Sequence, residues 1–362
     1  MPRVLYVAAH RPQRSPSQRF RFEQYQNYLA SKGFDFDYSW LISENDDAVF
    51  YQPGNLHTKA AIFLKSYLRR WRDVINVKDY DLIFVQREAF MTGSVFFEKQ
   101  FCRSGAKVIF DFDDAIWHFD VSEANKKLGW LKNPSKTSKI IQHVDHIIAG
   151  NSYLADYARK YNQQVTIIPT TIDTEYHKPR ADKDFHKKTI CIGWTGSLTT
   201  VKHFRLAEPV LKRLKDKYGE RVSFKLIGDS NYENKELNLK GTAWTLDREV
   251  EELQDIDIGI MPLPDDEWAK GKCGFKGLQY MAMEVAPIMS PVGMNTEIVQ
   301  HGDNGFLADT DDEWFNHLCF LIDNPDERER IGLNARQTII DHYSVASQKD
   351  RYLEIFRSLT ES

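Results

Sequence analysis

The run Val108-Ile109-Phe110-Asp111-Phe112-Asp113-Asp114-Ala115-Ile116-Trp117 sets three carboxylates within four positions at the end of an apolar stretch. Such a stretch reads as a buried strand, and α/β proteins gather their chemistry at the carboxyl ends of these strands. Three chemistries can use the arrangement. Asp111 can act as a nucleophile toward a phosphoryl group. Asp111 and Asp113, spaced as Asp-x-Asp, can hold a divalent cation. Asp113 and Asp114 can, without metal, orient or deprotonate a hydroxyl of a bound ligand. Period-two alternation points Asp111 and Asp113 to one side, which leaves Asp114 to cap the following turn or to join Asp113 as a pair.

Two further segments carry binding chemistry. In KGKCGFKGLQYMAMEV, residues 270–285, Gly271 and Gly274 permit a tight loop before a helix beginning near Phe275. Free N–H groups at a helix start form an anion site, and glycine lets a phosphate come close. Lys272 and Lys276 add positive charge, and Gln279 lies one turn past Lys276 on the same face. In ICIGWTGSLTTVKHF, residues 190–204, the strand ends in a hydroxyl-rich turn, Gly196 to Thr200, and Lys202 follows in the first helical turn. Backbone N–H and hydroxyl groups there can cradle phosphate. In the first half, Arg11, Arg14, Arg19 and Arg21 follow the first strand, with Arg19 favoured as a phosphate or carboxylate contact near an expected helix start. Arg87 sits just past the strand DLIFVQ, as a ligand contact or one half of a structural ion pair.

These residues need elements to place them. Apolar runs at RVLYVAA, DLIFVQ, KVIFDF, HIIAG, VTIIP, TICIGWTG, VSFKLIGD, DIGIMPL, PIMSPVG and GFLAD alternate with amphipathic helical stretches, which implies parallel sheets wrapped by helices. The polar stretch 171–189 separates two halves of similar pattern and reads as a linker. The chain of 362 residues suits two domains, and 42% hydrophobic with 28% charged residues is a globular composition. A net charge of −4 argues against a general nucleic-acid binder. Cys102, Cys191, Cys273 and Cys319 are far apart, which excludes a disulfide scaffold or zinc knuckle and fits a reducing compartment. With no signal-like leader and no window of membrane-span length, the expected location is the cytoplasm. Between Lys59 and Ile75, Ala61, Leu64, Leu68, Trp71 and Ile75 share one helical stripe, with Lys65, Arg69, Arg70 and Arg72 elsewhere on the wheel. Either the stripe packs on its own domain beneath a solvated basic face, or the helix rests on the inner face of an anionic membrane as a peripheral contact.

Taken in order, the second-half segments resemble family-4 retaining glycosyltransferases of the GT-B fold. That family shows a Glu, then Phe-Gly, a second Glu followed by Ala-Met-Ala, Gly-x-Pro-Val-Val, and later Gly, Glu-Ile-Val and Asn-Gly. Here Gly274 matches the motif glycine and Gln279 stands at the second Glu. Met281, Ala282, Pro287, Gly293, Glu297-Ile298-Val299 and Asn304-Gly305 follow. Gly271 stands at the first Glu, which in the family contacts the donor sugar. Gly196 and Lys202 match the Gly-Arg-Leu loop and downstream Lys that hold the donor diphosphate, with Ser197 at the Arg position. IIPTTID, FKLIGD and WTLDREVEELQDIDIGIMPL resemble the domain junction, the Val-Gly-Asp strand and the strip lining the base pocket. The resemblance covers most of residues 145–355.

The resemblance implies an α/β chain of two Rossmann-like domains facing across a cleft. Residues 1–170 would form the acceptor side, 171–189 the linker, 190–345 the donor domain, and 346–362 a C-terminal helix packing back on the first domain. It implies retaining, metal-independent transfer from a nucleoside-diphosphate sugar, with no cofactor, to a glycan or lipid-linked acceptor in bacterial surface polysaccharide or lipopolysaccharide biosynthesis. Gly196, Ser197, Lys202, Lys272, Gly274, Phe275, Lys276 and Gln279 would bind the donor, Gln279 through ribose hydroxyls. Asp113, Asp114 and Lys202 would be catalytic, and Arg19 and Arg87 would contact acceptor or phosphate. Two rivals stand beside this. VIFDFDD and IGDSNYE resemble haloacid-dehalogenase signatures, which would make a phosphohydrolase using Asp111 and Asp113. Gly271 and Ser197 at two motif positions would also fit a non-catalytic nucleotide-sugar-binding subunit.

Overall fold

Short continuous apolar runs suit strands covered on both faces, and the computed structural model, which describes residues 1–52, 54–118 and 133–361, builds most of its sheet strands from them. The first sheet contains β1 (Arg3–His10), β2 (Asp35–Ile42), β3 (Leu82–Gln86), β4 (Lys107–Phe112), β5 (His146–Ala149) and β6 (Val165–Ile167). Their order is β2-β1-β3-β4-β5-β6, with every neighbouring pair parallel. β2 is not among the strands expected from apolar runs. Its sequence DFDYSWLI alternates polar and apolar residues and is half exposed, as suits the sheet edge. The order reverses about β1, so the carboxyl ends of β1 and β3 flank the crevice where such sheets bind ligands.

The second sheet contains β7 (Ile190–Thr195), β8 (Val222–Ile227), β11 (Ile258–Met261), β12 (Ala286–Met289) and β13 (Phe306–Leu307), all parallel, in the order β13-β12-β11-β7-β8. β9 (Glu233–Asn234) and β10 (Leu239–Lys240) form a small antiparallel ribbon. Here the order reverses about β7. Trp194, Val210, Leu211, Leu226, Ile258 and Ile288 belong to this sheet's core.

The chain divides into two compact units, Met1–Thr170 with Gln348–Ser362, and Thr171–Ser347. The segment 171–189, read from sequence as a linker, is part of the second unit. The Ile172 N–H donates to the Tyr343 carbonyl at 2.8 Å, and Lys183 Nζ donates to the carbonyls of Met283 and Glu284. Burial lowers the Lys183 pKa to about 8. The last helix, Val345–Thr360, carries its later turns into the first unit. There the Tyr352 hydroxyl donates to the Arg21 carbonyl at 2.5 Å, and Phe356 meets the rings of Phe22, Phe34 and Phe84.

The helix Leu56–Asn76 departs from the packed-stripe expectation. Its buried positions are Lys59, Ile62, Ser66, Arg70 and Asp73, while Leu64, Leu68, Trp71 and Ile75 are exposed. Among the described residues no helix is long and apolar enough to cross a membrane.

Candidate functional site

In the second unit β7 delivers the first loop. A Cβ on Gly196 would come within 2.1 Å of the Trp194 ring, so only glycine lets the chain turn here. The turn closes on itself: the Ser197 N–H donates to Thr200 Oγ1 (2.9 Å), and the Thr200 N–H donates to the Ser197 carbonyl (2.8 Å). Ser197 Oγ lies 3.0 Å from Thr199 Oγ1, giving an exposed cluster of hydroxyls. Lys202 follows on the short helix Val201–Phe204 and is exposed.

The second loop follows β11. Asp266 caps the short helix Glu267–Lys270 by accepting from the Ala269 N–H at 2.7 Å. The chain then turns through Gly274, whose φ of +66° is left-handed and whose added Cβ would lie 2.4 Å from Ile298 Cδ1. Gly274 is the N-cap of the helix Phe275–Ala282, where the sequence places its start; Phe275 is half-buried. Lys276 Nζ sits 5.4 Å above the Trp194 ring, which ties this loop to β7, and Lys272 Nζ sits 5.2 Å above Trp268.

Between the two loops lies His203, a residue the sequence reading does not single out. It is 4% exposed, and its Nδ1 has no hydrogen-bond partner among the described residues. Burial, then the charges of Lys272, Lys276 and Lys202, lower its pKa to about 4, with Asp266 opposing. Lysines some seventy residues apart in sequence therefore act on one imidazole. Such a concentration of positive charge beside glycine turns suits an anion carrying more than one charge.

Gln279 is buried, and its Nε2 donates to Glu249 Oε1 at 3.3 Å. Trp244 Nε1 donates to the same oxygen at 3.3 Å, and His177 Nε2 lies 4.0 Å from Glu249 Oε2. Glu249 thus brings a carboxylate to the position where the sequence has an amide. No local pattern reveals this, because the two residues meet only through the fold.

In the first unit the three carboxylates part company. Asp111 is fully buried and bound by Arg21, whose Nη2 lies 2.5 Å from Oδ1 and whose Nε also donates to it. Arg21 further donates to the Ile168 carbonyl. Burial raises the Asp111 pKa, with the guanidinium opposing. A phosphoryl nucleophile must reach its substrate, and this fully buried carboxylate is turned to Arg21 among the described residues, so the phosphohydrolase role for Asp111 does not hold. Asp113 and Asp114 instead share Arg87, at 2.8 Å from Nε and 2.7 Å from Nη2. An Asp111–Asp113 cation clamp therefore gives way to two separate carboxylate–guanidinium contacts. Arg87 itself has a left-handed φ of 62°, and its N–H donates to the Asp111 carbonyl at 2.7 Å. Burial opposes its charge, but Asp113 and Asp114 outweigh that and raise its pKa.

His10, at the end of β1, joins this cluster. Burial, then Arg14, lower its pKa to about 4; Asp47 opposes and Arg87 adds to the lowering. Arg11 and Arg14 both pair with Asp47. Arg19 ends the four-residue helix Pro16–Arg19 rather than starting one, and its guanidinium sits 4.9 Å from the Phe20 ring. Among the described residues no group of three or more His, Cys, Asp or Glu side chains is placed to hold a metal ion.

Residues 189–324 match the sequence profile of the family Glycosyl transferases group 1. No curated protein matches the chain. Among solved structures the chain is similar to HepE of Anabaena in complex with UDP and glucose, at 13% identity and TM-score 0.65, covering 99% of this chain and 100% of that one. It is similar to sucrose-phosphate synthase from Thermosynechococcus elongatus, at 14% identity and TM-score 0.69, with 99% of each chain covered. It is also similar to the catalytic domain of starch synthase IV from Arabidopsis thaliana bound to ADP and acarbose, at 13% identity and TM-score 0.70, with 100% of each covered. Two parallel-sheet α/β units in this order are the GT-B fold.

Proposed function

Because residues 189–324 carry a domain of the group 1 glycosyltransferases on a GT-B fold, we propose that the chain is a retaining glycosyltransferase acting without metal. It moves a sugar from a nucleoside-diphosphate sugar to the hydroxyl of a glycan or lipid-linked acceptor, in bacterial surface polysaccharide or lipopolysaccharide biosynthesis. It works in the cytoplasm, at the membrane's inner face where the acceptor is lipid-linked. The observation that carries this reading is the convergence of Lys202, Lys272 and Lys276 on His203 beside the Gly196 and Gly274 turns.

As the glycosidic bond breaks, charge grows on the departing diphosphate, and fixed cations stabilise that charge more than the ground state. Lys202, Lys272 and Lys276 supply it, and the Ser197 and Thr199 hydroxyls and the amides at Phe275 add hydrogen bonds. Gln279, with its Nε2 donating to Glu249, keeps its amide oxygen as an acceptor for a ribose hydroxyl. Asp113 and Asp114, oriented by Arg87, hold the acceptor hydroxyl for attack on the face the nucleotide leaves, and Arg19 contacts an acceptor phosphate or carboxylate. HepE was solved with UDP and starch synthase IV with ADP, which supports a nucleoside-diphosphate leaving group.

The test is turnover of a panel of nucleotide sugars with an acceptor and a chelator present. We expect free nucleotide from one donor, and Lys202→Ala should lower kcat/KM at least about tenfold. Near-normal turnover by that variant, or tight donor binding without turnover by the parent chain, would sink the assignment.

A further inference from the structure

The helix Leu56–Asn76 buries its polar side and exposes its apolar side. The inner face is polar because it completes hydrogen bonds that the first sheet leaves open. Arg70 Nε donates to the Ala89 carbonyl (2.7 Å), Nη2 to the Ala8 carbonyl (3.2 Å), and Nη1 to Ser39 Oγ and Asp73 (2.8 Å each). Ser66 Oγ donates to the Leu41 carbonyl at 3.1 Å. That inner face leaves the leucines outside: Leu64 is 57% exposed, Leu68 58%, Ile75 61% and Trp71 40%. Tyr67 and Phe96 widen the patch, with Trp71 stacked between them at 6.4 and 5.6 Å.

Single exposed apolar residues mean little, but a continuous row beside aromatics marks a contact surface. Its charge identifies the partner. Lys65 and Arg72 are exposed on this helix, and Arg69 is half-buried with its guanidinium on the Trp40 carbonyl. The helix's only acidic residue, Asp73, is buried against Arg70. Lys65 also lies 3.4 Å from Asp46 Oδ1, where both side chains retain solvent contact.

We propose that this face docks on an anionic lipid bilayer. The helix lies in the plane of the interface with Leu64, Leu68, Trp71 and Ile75 at the acyl boundary and Lys65 and Arg72 against headgroup phosphates. A second copy of the chain fits less well, because the exposed charges on this helix are all cations and a copy of the same helix offers them no acidic partner. The inference rests on the exposed face rather than on the transferase reading, and its test reads binding, not turnover.

The full chain is floated with vesicles of phosphatidylcholine alone and of phosphatidylcholine with phosphatidylglycerol. We expect binding to the anionic vesicles only, weakened by salt. Leu64→Ser with Leu68→Ser should lower partitioning at least about tenfold, with the thermal midpoint unchanged because both side chains already face solvent. Lys65→Gln with Arg72→Gln, a second variant that leaves the apolar row intact, should lower anionic binding roughly fivefold per charge removed. Equal partitioning by parent and leucine variant, no binding to anionic vesicles, or a solution dimer that the leucine variant dissolves would each overturn the proposal.

Discussion

Asp111 and Arg21 stand at 0% and 1% exposure and pair with each other at the β4 strand end, the guanidinium Nη2 lying 2.5 Å from Oδ1. Replacing one partner of such a pair leaves an ion buried and uncompensated, which costs about 3–5 kcal/mol. Asp111→Asn should therefore lower the unfolding free energy of the first unit by an amount of that order, read as a lower urea midpoint, while the folded fraction still binds nucleotide through the second unit. An Asp111→Asn chain of normal stability that had lost only turnover would instead restore a catalytic role. The carboxylates were plain in the sequence, but their division of labour was not. Arg21 lies ninety positions upstream of Asp111 and Arg87 twenty-six upstream of Asp113, and spacing within one strand says nothing about which distant guanidinium arrives. For the same reason no local pattern marks Glu249, whereas Gln279 lies inside a recognisable motif.

At the scale of elements, the ends of β7 and β11 concentrate the lysines, and His203 registers the result. Its pKa in the folded chain, about 4, lies below the ordinary value of 6.5. The unfolded chain thus takes the proton first, so the histidine's contribution to stability is complete above about pH 6.5 and is lost as pH falls toward about 4. His203→Gln should lose less stability than the parent between about pH 7 and 4.5, measured as urea midpoints, with the remaining slope including the share of His10, whose pKa is also lowered to about 4. Identical slopes would mean that His203 is not held neutral by its burial and the lysines. Strands and glycine turns were legible here because apolar runs and φ > 0 positions are local facts. β2 was not, since an edge strand needs no continuous apolar run. The Leu56–Asn76 helix was legible as a helix with a stripe, but periodicity states which residues share a face and not which face turns inward. Carbonyls at Ala8, Leu41 and Ala89 decided that, and they belong to other elements.

On the scale of the whole molecule, the chain leaves its first unit at Thr170, builds the second through Ser347, and returns to the first with Gln348. The two halves and their boundary follow from repeated strand–helix alternation, whereas the allegiance of the last helix depends on a fit that its own amphipathic pattern does not specify. Tyr352 and Phe356 are fully buried; the tyrosine reaches the Arg21 carbonyl and its ring lies 4.3 Å from Tyr25, while the phenylalanine joins Phe22, Phe34 and Phe84. Losing two buried aromatics removes about 3–5 kcal/mol each by the usual measure of core truncation, enough to threaten a unit of ordinary stability. A chain stopped after Ser347 should therefore lose amide-exchange protection in β2 and β3, where Phe356 packs on Phe36 and Phe84, while β7 and β11 keep theirs because the second unit ends at Ser347. Equal loss in both sheets would show that the helix supports the chain as a whole, and full protection in β2 and β3 would show that the aromatic cluster closes without it.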